Sequence, residues 1–215
     1  MPLPYSRLYE GLATGIYTAA EDYGIDVNIA YVSGGDTRIR LLLQDRYDFV
    51  VTSAITAQKA ANQGLQVKRS HSFGPGSYVT KHVLLLADHS KESIEDGMRV
   101  ALDPSSIDMR ILTKEVCKGK NVEFVQMPYN QIVKQITLNN IDAGIWNYDE
   151  IREKEIPVAI RDLEDSEIIR EFSEAAIIVR AEEEGMLNFL QQAILSETVI
   201  QWQRKVVDEI IMPHY

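Results

Sequence analysis

The sequence predicts an α/β protein built as two similar layered lobes, and three observations carry that expectation. Short β-rich runs alternate with amphipathic helical segments along most of the 215 residues. Parallel strands need crossover connections, and helices supply them. Two stretches, YDFVVTSA (Tyr47 to Ala54) and IDAGIWNY (Ile141 to Tyr148), repeat one plan: an Asp, then small or β-branched apolar residues, then hydrogen-bonding or aromatic side chains. Finally, 45% apolar and 25% charged residues over this length bury a full core in one large domain or two small lobes.

Taken in order, helical spacing covers residues 6–23, 37–46, 54–63, 106–117, 131–139 and 186–211, the last with a break near Ser196. Between them lie the β-rich runs VNIAYVS, DFVVTS, HVLLLA, MRVALD, VEFVQM, DAGIWN and AAIIVR. No Gly, Ser or Pro tract is long enough to mark a flexible linker.

Asp48 and Asp142 stand 94 positions apart, and the same offset aligns Ile39 with Val133, Leu42 with Ile136, Val51 with Ile145 and Ser53 with Asn147. It also sets GGDT (Gly34 to Thr37) opposite PYNQ (Pro128 to Gln131). Only the Asp pair is identical, so duplication of one unit and chance likeness between two βαβ units both stay open. Either way the chain holds two similar α/β units.

Ligands in open α/β sheets sit at the carboxyl ends of the strands, where helix N-termini offer free N–H groups and a partial positive charge. Such ends recur here: PYS (Pro4 to Ser6), GGDT, TS (Thr52, Ser53), DPSS (Asp103 to Ser106), PYN (Pro128 to Asn130) and WN (Trp146, Asn147). They suit a small polar or anionic ligand, with Tyr5, Tyr129 or Trp146 to cover an apolar part. Each also has a plainer use. Ser105 or Ser106, with Asp108 following, caps a helix; Gly34, Gly35, Gly74 and Gly76 turn the chain; Trp146 fills core. Six polar ends in two lobes exceed what capping alone requires.

Other function classes are excluded or disfavoured. The net charge is −10, from 22 Lys+Arg and 32 Asp+Glu, with no basic cluster, so these residues should be repelled by nucleic acid. The longest aliphatic run, HVLLLA, falls far short of the roughly 20 residues a membrane span needs, and no leader pattern is visible. The single cysteine, Cys117, allows no internal disulfide and reads as a small buried hydrophobe in a cytoplasmic protein. His71, His82, His89 and His214 lack metal-ligand spacing, and GxSxG, GxxxxGK[ST] and GxGxxG are absent. The expectation is therefore no metal, no cofactor and no catalytic residue, with His82 or Asp36 the only visible candidates were the chain an enzyme.

The order MPLPYSRLYEGLATGI, YVSGGDTRIRLLLQDRYDFVVTSA, FGPGSYVTKHVLLLA, RVALDPSSID, VQMPYNQIVKQITLNNIDAGIWN and AAIIVRAE resembles type II periplasmic-binding-protein domains across nearly the whole chain. Within them it is most similar to the C-terminal effector domain of YhfZ-type transcriptional regulators. The resemblance implies two α/β lobes with mixed, mostly parallel sheets, joined by two hinge strands: residues 1–81 with 180–215 as lobe I and 82–179 as lobe II. A small polar or anionic metabolite would be clamped between them. Pro4, Tyr5 and Ser6 match the first ligand loop, Gly35, Asp36 and Thr37 the second, and Thr52 with Ser53 the third. Ser105, Ser106, Tyr129, Asn130, Trp146 and Asn147 match the facing loops of the second lobe.

An N-terminal helix-turn-helix segment is implied for the parent protein and absent from these residues, so DNA is reached only through that segment. MPLPYS resembles the exit of the fold's first strand, most of which is then expected upstream. The resemblance implies a sensor rather than an enzyme; an extracytoplasmic solute-binding protein and an enzyme on the same scaffold are the rival readings. Val199, Trp202, Val206 and Ile210 share a helical face that either covers the first lobe or joins a homodimer.

Overall fold

The computed structural model describes residues 6–32, 34–152 and 154–215. In chain order the elements are α1 (Arg7–Glu21), α2 (Gly35–Leu43), β1 (Phe49–Ser53), α3 (Ala54–Asn62), β2 (Val67–Ser72), β3 (His82–Leu86), β4 (Arg99–Leu102), α4 (Ile107–Val116) and β5 (Glu123–Gln126). After a 3-10 turn at Tyr129–Gln131 come α5 (Ile132–Thr137), β6 (Ala143–Asn147), a second 3-10 turn at Tyr148–Glu150, β7 (Ala159–Asp162), α6 (Glu167–Phe172), β8 (Ala175–Arg180), α7 (Glu184–Ala193) and α8 (Ser196–Val207).

The chain divides into two compact units, Met1–Tyr78 with Ser173–Tyr215, and Val79–Phe172. The second crossing thus falls at 172/173 rather than the expected 179/180. The reason is β8, which is the middle strand of the first unit's sheet and cannot be shared out.

In the first unit β8 is antiparallel to both β1 and β2. Its six residues AAIIVR are buried throughout, the continuous apolar pattern of a strand covered on both faces. Ala175, Ile177 and Val179 pack against α1, α7 and α8 through Leu12, Ile16, Leu190 and Val199. Ala176 and Ile178 point the other way, onto Ile39 and Leu42 of α2 and Ala57 of α3. Each buried Ile or Val contributes about 1.5–3 kcal/mol.

The helix α8 lies against α1 at backbone contact. A Cβ added to Gly11 would stand 2.7 Å from the Gln203 Cα, and one on Gly15 2.8 Å from the Val199 carbonyl oxygen. Buried Gln203 then donates from Nε2 to the carbonyls of Leu8 (2.9 Å) and Ser77 (2.8 Å). So the α8 face expected either in the core or in a dimer contributes Val199 and Val206 to the core of this unit, while Ile210 lies beyond the helix and is 68% exposed.

The second unit holds a five-stranded sheet of order β5-β4-β6-β3-β7. Here β4 is parallel to β5 and β6, whereas β3 is antiparallel to β6 and β7. The five-stranded sheet is therefore mixed, whereas both ladders of the first unit's sheet are antiparallel; the expectation of mostly parallel pairing is corrected, because antiparallel ladders predominate among the described residues. The cause is that β3 and β8 each run antiparallel to both neighbours.

Three elements lacked a sequence signal. VKRSHS (β2) and AIRD (β7) are edge strands burying little beyond Val67 and Ala159, so backbone pairing rather than side-chain pattern creates them. The helix α6 has only six residues. Conversely, VNIAYVS forms no ladder among the described residues, although Val27 and Ile29 are half-buried and Asn28 and Ala30 exposed.

Candidate functional site

In the first unit, Gly34 takes a φ of 82° and α2 begins without a side-chain cap. Its first N–H groups are thus not satisfied within the helix. A Cβ on Gly35 would meet the Thr52 Oγ1 at 2.9 Å, so only glycine lets the start of α2 approach β1 this closely. Thr52 is fully buried and its Oγ1 has no hydrogen-bond partner among the described residues. Ser53, also fully buried, caps α3 by accepting from the Thr56 N–H at 3.2 Å. Thr37 is half-buried beside Gly34 and Asp36 is exposed.

Arg38, in the first turn of α2, was not singled out from the sequence because a lone Arg on an amphipathic helix reads as surface. Its guanidinium donates to the Val32 carbonyl (2.7 Å) and the Tyr78 hydroxyl (2.6 Å), and its Nε is buried without a partner among the described residues. Neither bond brings a carboxylate to its charge. Ser6 stands before α1 as N-cap residue with no side-chain capping bond, and Tyr5 lies outside the described residues.

In the second unit, the rings of Tyr129 and Trp146 stack with centroids 3.9 Å apart. The Tyr129 hydroxyl accepts from the Asn147 N–H at 2.9 Å and donates to Glu150 at 3.4 Å. Burial pushes up the pKa of Tyr129 and, as the largest cause, that of Glu150. Trp146 is buried and its Nε1 has no partner among the described residues. Asn147 Oδ1 accepts from the Asp149 N–H at 2.9 Å. Glu150 carries no motif of its own in the sequence, because its proximity to Tyr129 is tertiary.

Ser106 accepts from the Met109 N–H at 3.3 Å and so caps α4. Ser105 donates both its N–H (2.8 Å) and its hydroxyl (2.7 Å) to buried Asp103. Asn130 is exposed in the 3-10 turn that carries Tyr129. The structure thus brings Tyr129, Trp146 and Asn147 together in one cluster and Gly35, Thr37, Thr52 and Ser53 in another.

Burial lowers the pKa of His82 to about 4, so its ring is neutral at pH 7, and its Nδ1 has no partner among the described residues. Cys117 is buried, and burial raises its thiol pKa to about 11. Among the described residues no group of three His, Cys, Asp or Glu is gathered for a metal ion, and no helix is long and apolar enough to cross a membrane.

A family model described as YhfZ C-terminal domain matches residues 1–215. The chain belongs to that family. It is 32% identical over 219 residues to the uncharacterized protein YhfZ of Escherichia coli (strain K12), a match covering 100% of this chain and 70% of that protein. Among solved structures, YhfZ from Shigella flexneri superposes with a TM-score of 0.85 at 29% identity, over 100% of this chain and 91% of that one. An ancestral arginine-binding protein bound to arginine gives 0.63 at 16% identity, over 94% and 86%. The fold is that of type II periplasmic-binding proteins.

Proposed function

We propose that this chain is the effector-binding domain of a cytoplasmic transcriptional regulator, holding a small polar or anionic metabolite through polar strand ends and catalysing nothing. One observation carries the binding reading: the uncapped start of α2, with the unpartnered Thr52 hydroxyl beside it and the Arg38 charge in its first turn. Free helix N–H groups, a hydroxyl and a guanidinium are the donors that a carboxylate or phosphate accepts from. The Tyr129 and Trp146 pair offers an aromatic face with one unused N–H. The structural neighbour that holds arginine has this fold, which favours an amino acid or related carboxylate.

Regulation requires that the ligand bind one conformation more tightly than another, so that occupancy shifts the population. DNA would be contacted by a segment outside these residues, and a homodimer would match two half-sites. A solute-binding protein is the second reading, favoured by neighbours that serve transporters. The sequence upstream of Met1 separates the two: a helix-turn-helix supports the regulator, a secretion signal the transporter.

The binding reading is tested by a thermal-shift screen of amino acids, carboxylates and phosphate esters. A true ligand at one hundred times its dissociation constant stabilises by about 2.7 kcal/mol. A screen without a single saturable hit among these classes sinks the proposal.

A further inference from the structure

Beyond α8 the chain leaves regular structure, and residues 208–215 return to α1. The His214 N–H donates to the Oγ1 of fully buried Thr14 at 3.1 Å. Its Nε2 lies 3.1 Å from the Oγ1 of Thr18, one turn further along α1. The same ring stands edge-on to Tyr17 of α1 and to Trp202 of α8, with centroids 6.2 and 5.9 Å away. Nearer α8, Glu209 pairs with Arg7 at 3.5 Å. Tyr215 then meets Tyr31, whose hydroxyl donates to that of Tyr215 at 2.6 Å, the two rings edge to face at 6.1 Å.

Tyr31 belongs to the segment 27–32, which joins no ladder among the described residues, so among them side-chain bonds rather than sheet pairing hold it. Two such bonds fix its last residues: Tyr31 to Tyr215, and the Val32 carbonyl to the Arg38 guanidinium at 2.7 Å. Tyr31 is four positions from Gly35, where α2 starts, a span of at most about 14 Å even when extended. The first turn of α2 is weak in itself, since it opens on glycine and its N-cap residue Gly34 makes no side-chain bond. Such a turn takes its order from whatever fixes the chain before it.

We propose that residues 208–215 are a positioning strap for the start of α2. His214 clasps the strap to α1, Tyr215 passes the hold to Tyr31, and the adjoining Val32 passes it to Arg38. His214 and Tyr215 act through Tyr31 and are positioning residues only. The consequence for ligands rests on the anion reading above. A fixed first turn presents its free N–H groups and the Arg38 charge together, so a closed strap raises affinity by pre-organisation. By linkage, an anion seated there steadies the strap in return.

The test begins on the protein without ligand. Amide exchange is read at Arg38, whose N–H bonds to the Gly34 carbonyl, and at Ile39 in the same turn. Tyr215→Ala removes the acceptor and the ring that hold Tyr31, and Thr14→Val removes the acceptor of the His214 N–H at nearly constant shape. Each should speed exchange at Arg38 and Ile39 about three- to tenfold, the worth of one ordinary hydrogen bond. Thr14→Ser, which keeps the acceptor, should show the parent rate, as should Met212→Ala, a strap residue 78% exposed. Ile177→Val weakens the core packed on α7 and α8 and should leave both rates alone, because fraying of one turn does not wait for global unfolding. Unchanged rates in Tyr215→Ala and Thr14→Val overturn the proposal, and so does equal acceleration by Ile177→Val or Thr14→Ser. Inorganic phosphate titrated by calorimetry then reads the consequence for ligands: Tyr215→Ala should bind it about three- to tenfold more weakly than the parent, and equal affinity overturns that link. Phosphate that fails to bind the parent counts against the binding reading alone, since exchange decides the strap without a ligand.

Discussion

The Tyr129 hydroxyl accepts a hydrogen bond from the Asn147 N–H at 2.9 Å while its ring lies flat on Trp146, the residue just before Asn147. One side chain thus holds both the aromatic surface and the end of β6 in place. Tyr129→Phe keeps the stack but leaves that N–H without its acceptor, so it should cost about 1–2 kcal/mol in urea unfolding. Unchanged stability would mean that the bond is replaced by water. The same variant should weaken a ligand little if the ring alone is used, which calorimetry on a screened ligand would show.

Thr52 offers a cleaner separation of binding from folding. Its buried hydroxyl has no partner among the described residues, so Thr52→Val removes an unsatisfied group at nearly constant shape. Stability should hold within about 0.5 kcal/mol or rise, whereas affinity for an anionic ligand should fall about ten- to a hundredfold, the worth of a hydrogen bond to a charged group. Full retention of affinity would take Thr52 out of the site.

Much of this architecture was legible because period and burial coincide. AAIIVR reads as a β-rich run and forms a strand; Ser106 was visible as a capping residue and acts as a cap. The echo of YDFVVTSA and IDAGIWNY marked β1 and β6 correctly but concealed different surroundings. Hydrogen bonds from Arg99 hold the Asp142 carboxyl below the usual carboxylate range, while Asp48 is exposed. What escaped was whatever arises from tertiary pairing. Edge strands β2 and β7 owe their form to a neighbour's backbone, the roles of Arg38 and Glu150 depend on residues 40 and 21 positions away, and residues 27–30 have a strand's alternation without a ladder partner among the described residues.

The α1 stretch GLATG sets up a third prediction, because Gly11 and Gly15 let α8 approach at backbone distance. Gly11→Ala should force the helices apart and cost about 1–3 kcal/mol, the usual penalty of overpacking. Gly185 in α7 is the control: nothing lies within 4 Å of its would-be Cβ. There the same substitution should be neutral or stabilise by roughly 0.5–1 kcal/mol through helix propensity. Equal effects at both positions, read from thermal unfolding, would remove close packing as the reason for Gly11.

His82 predicts a pH dependence of stability whose sign follows from burial. Its pKa is lowered from 6.5 to about 4 in the folded state, so between these values the unfolded chain binds more protons. Stability then rises with pH across that window and is lost on acidification. The ring sits at the start of β3 opposite Asn147, with no carboxylate bonded to it to offset the burial of a charge. The full difference corresponds to about 3 kcal/mol, at about 1.4 kcal/mol per pKa unit. Other groups contribute in the same range: Asp142, held low by Arg99, also loses stabilisation as pH falls, whereas Glu150, raised by burial, works the other way. The His82 share is isolated by His82→Gln, which cannot titrate. Urea midpoints measured from pH 7 down to pH 4 should fall less steeply in that variant than in the parent, and parallel slopes would show that His82 gains its proton without penalty.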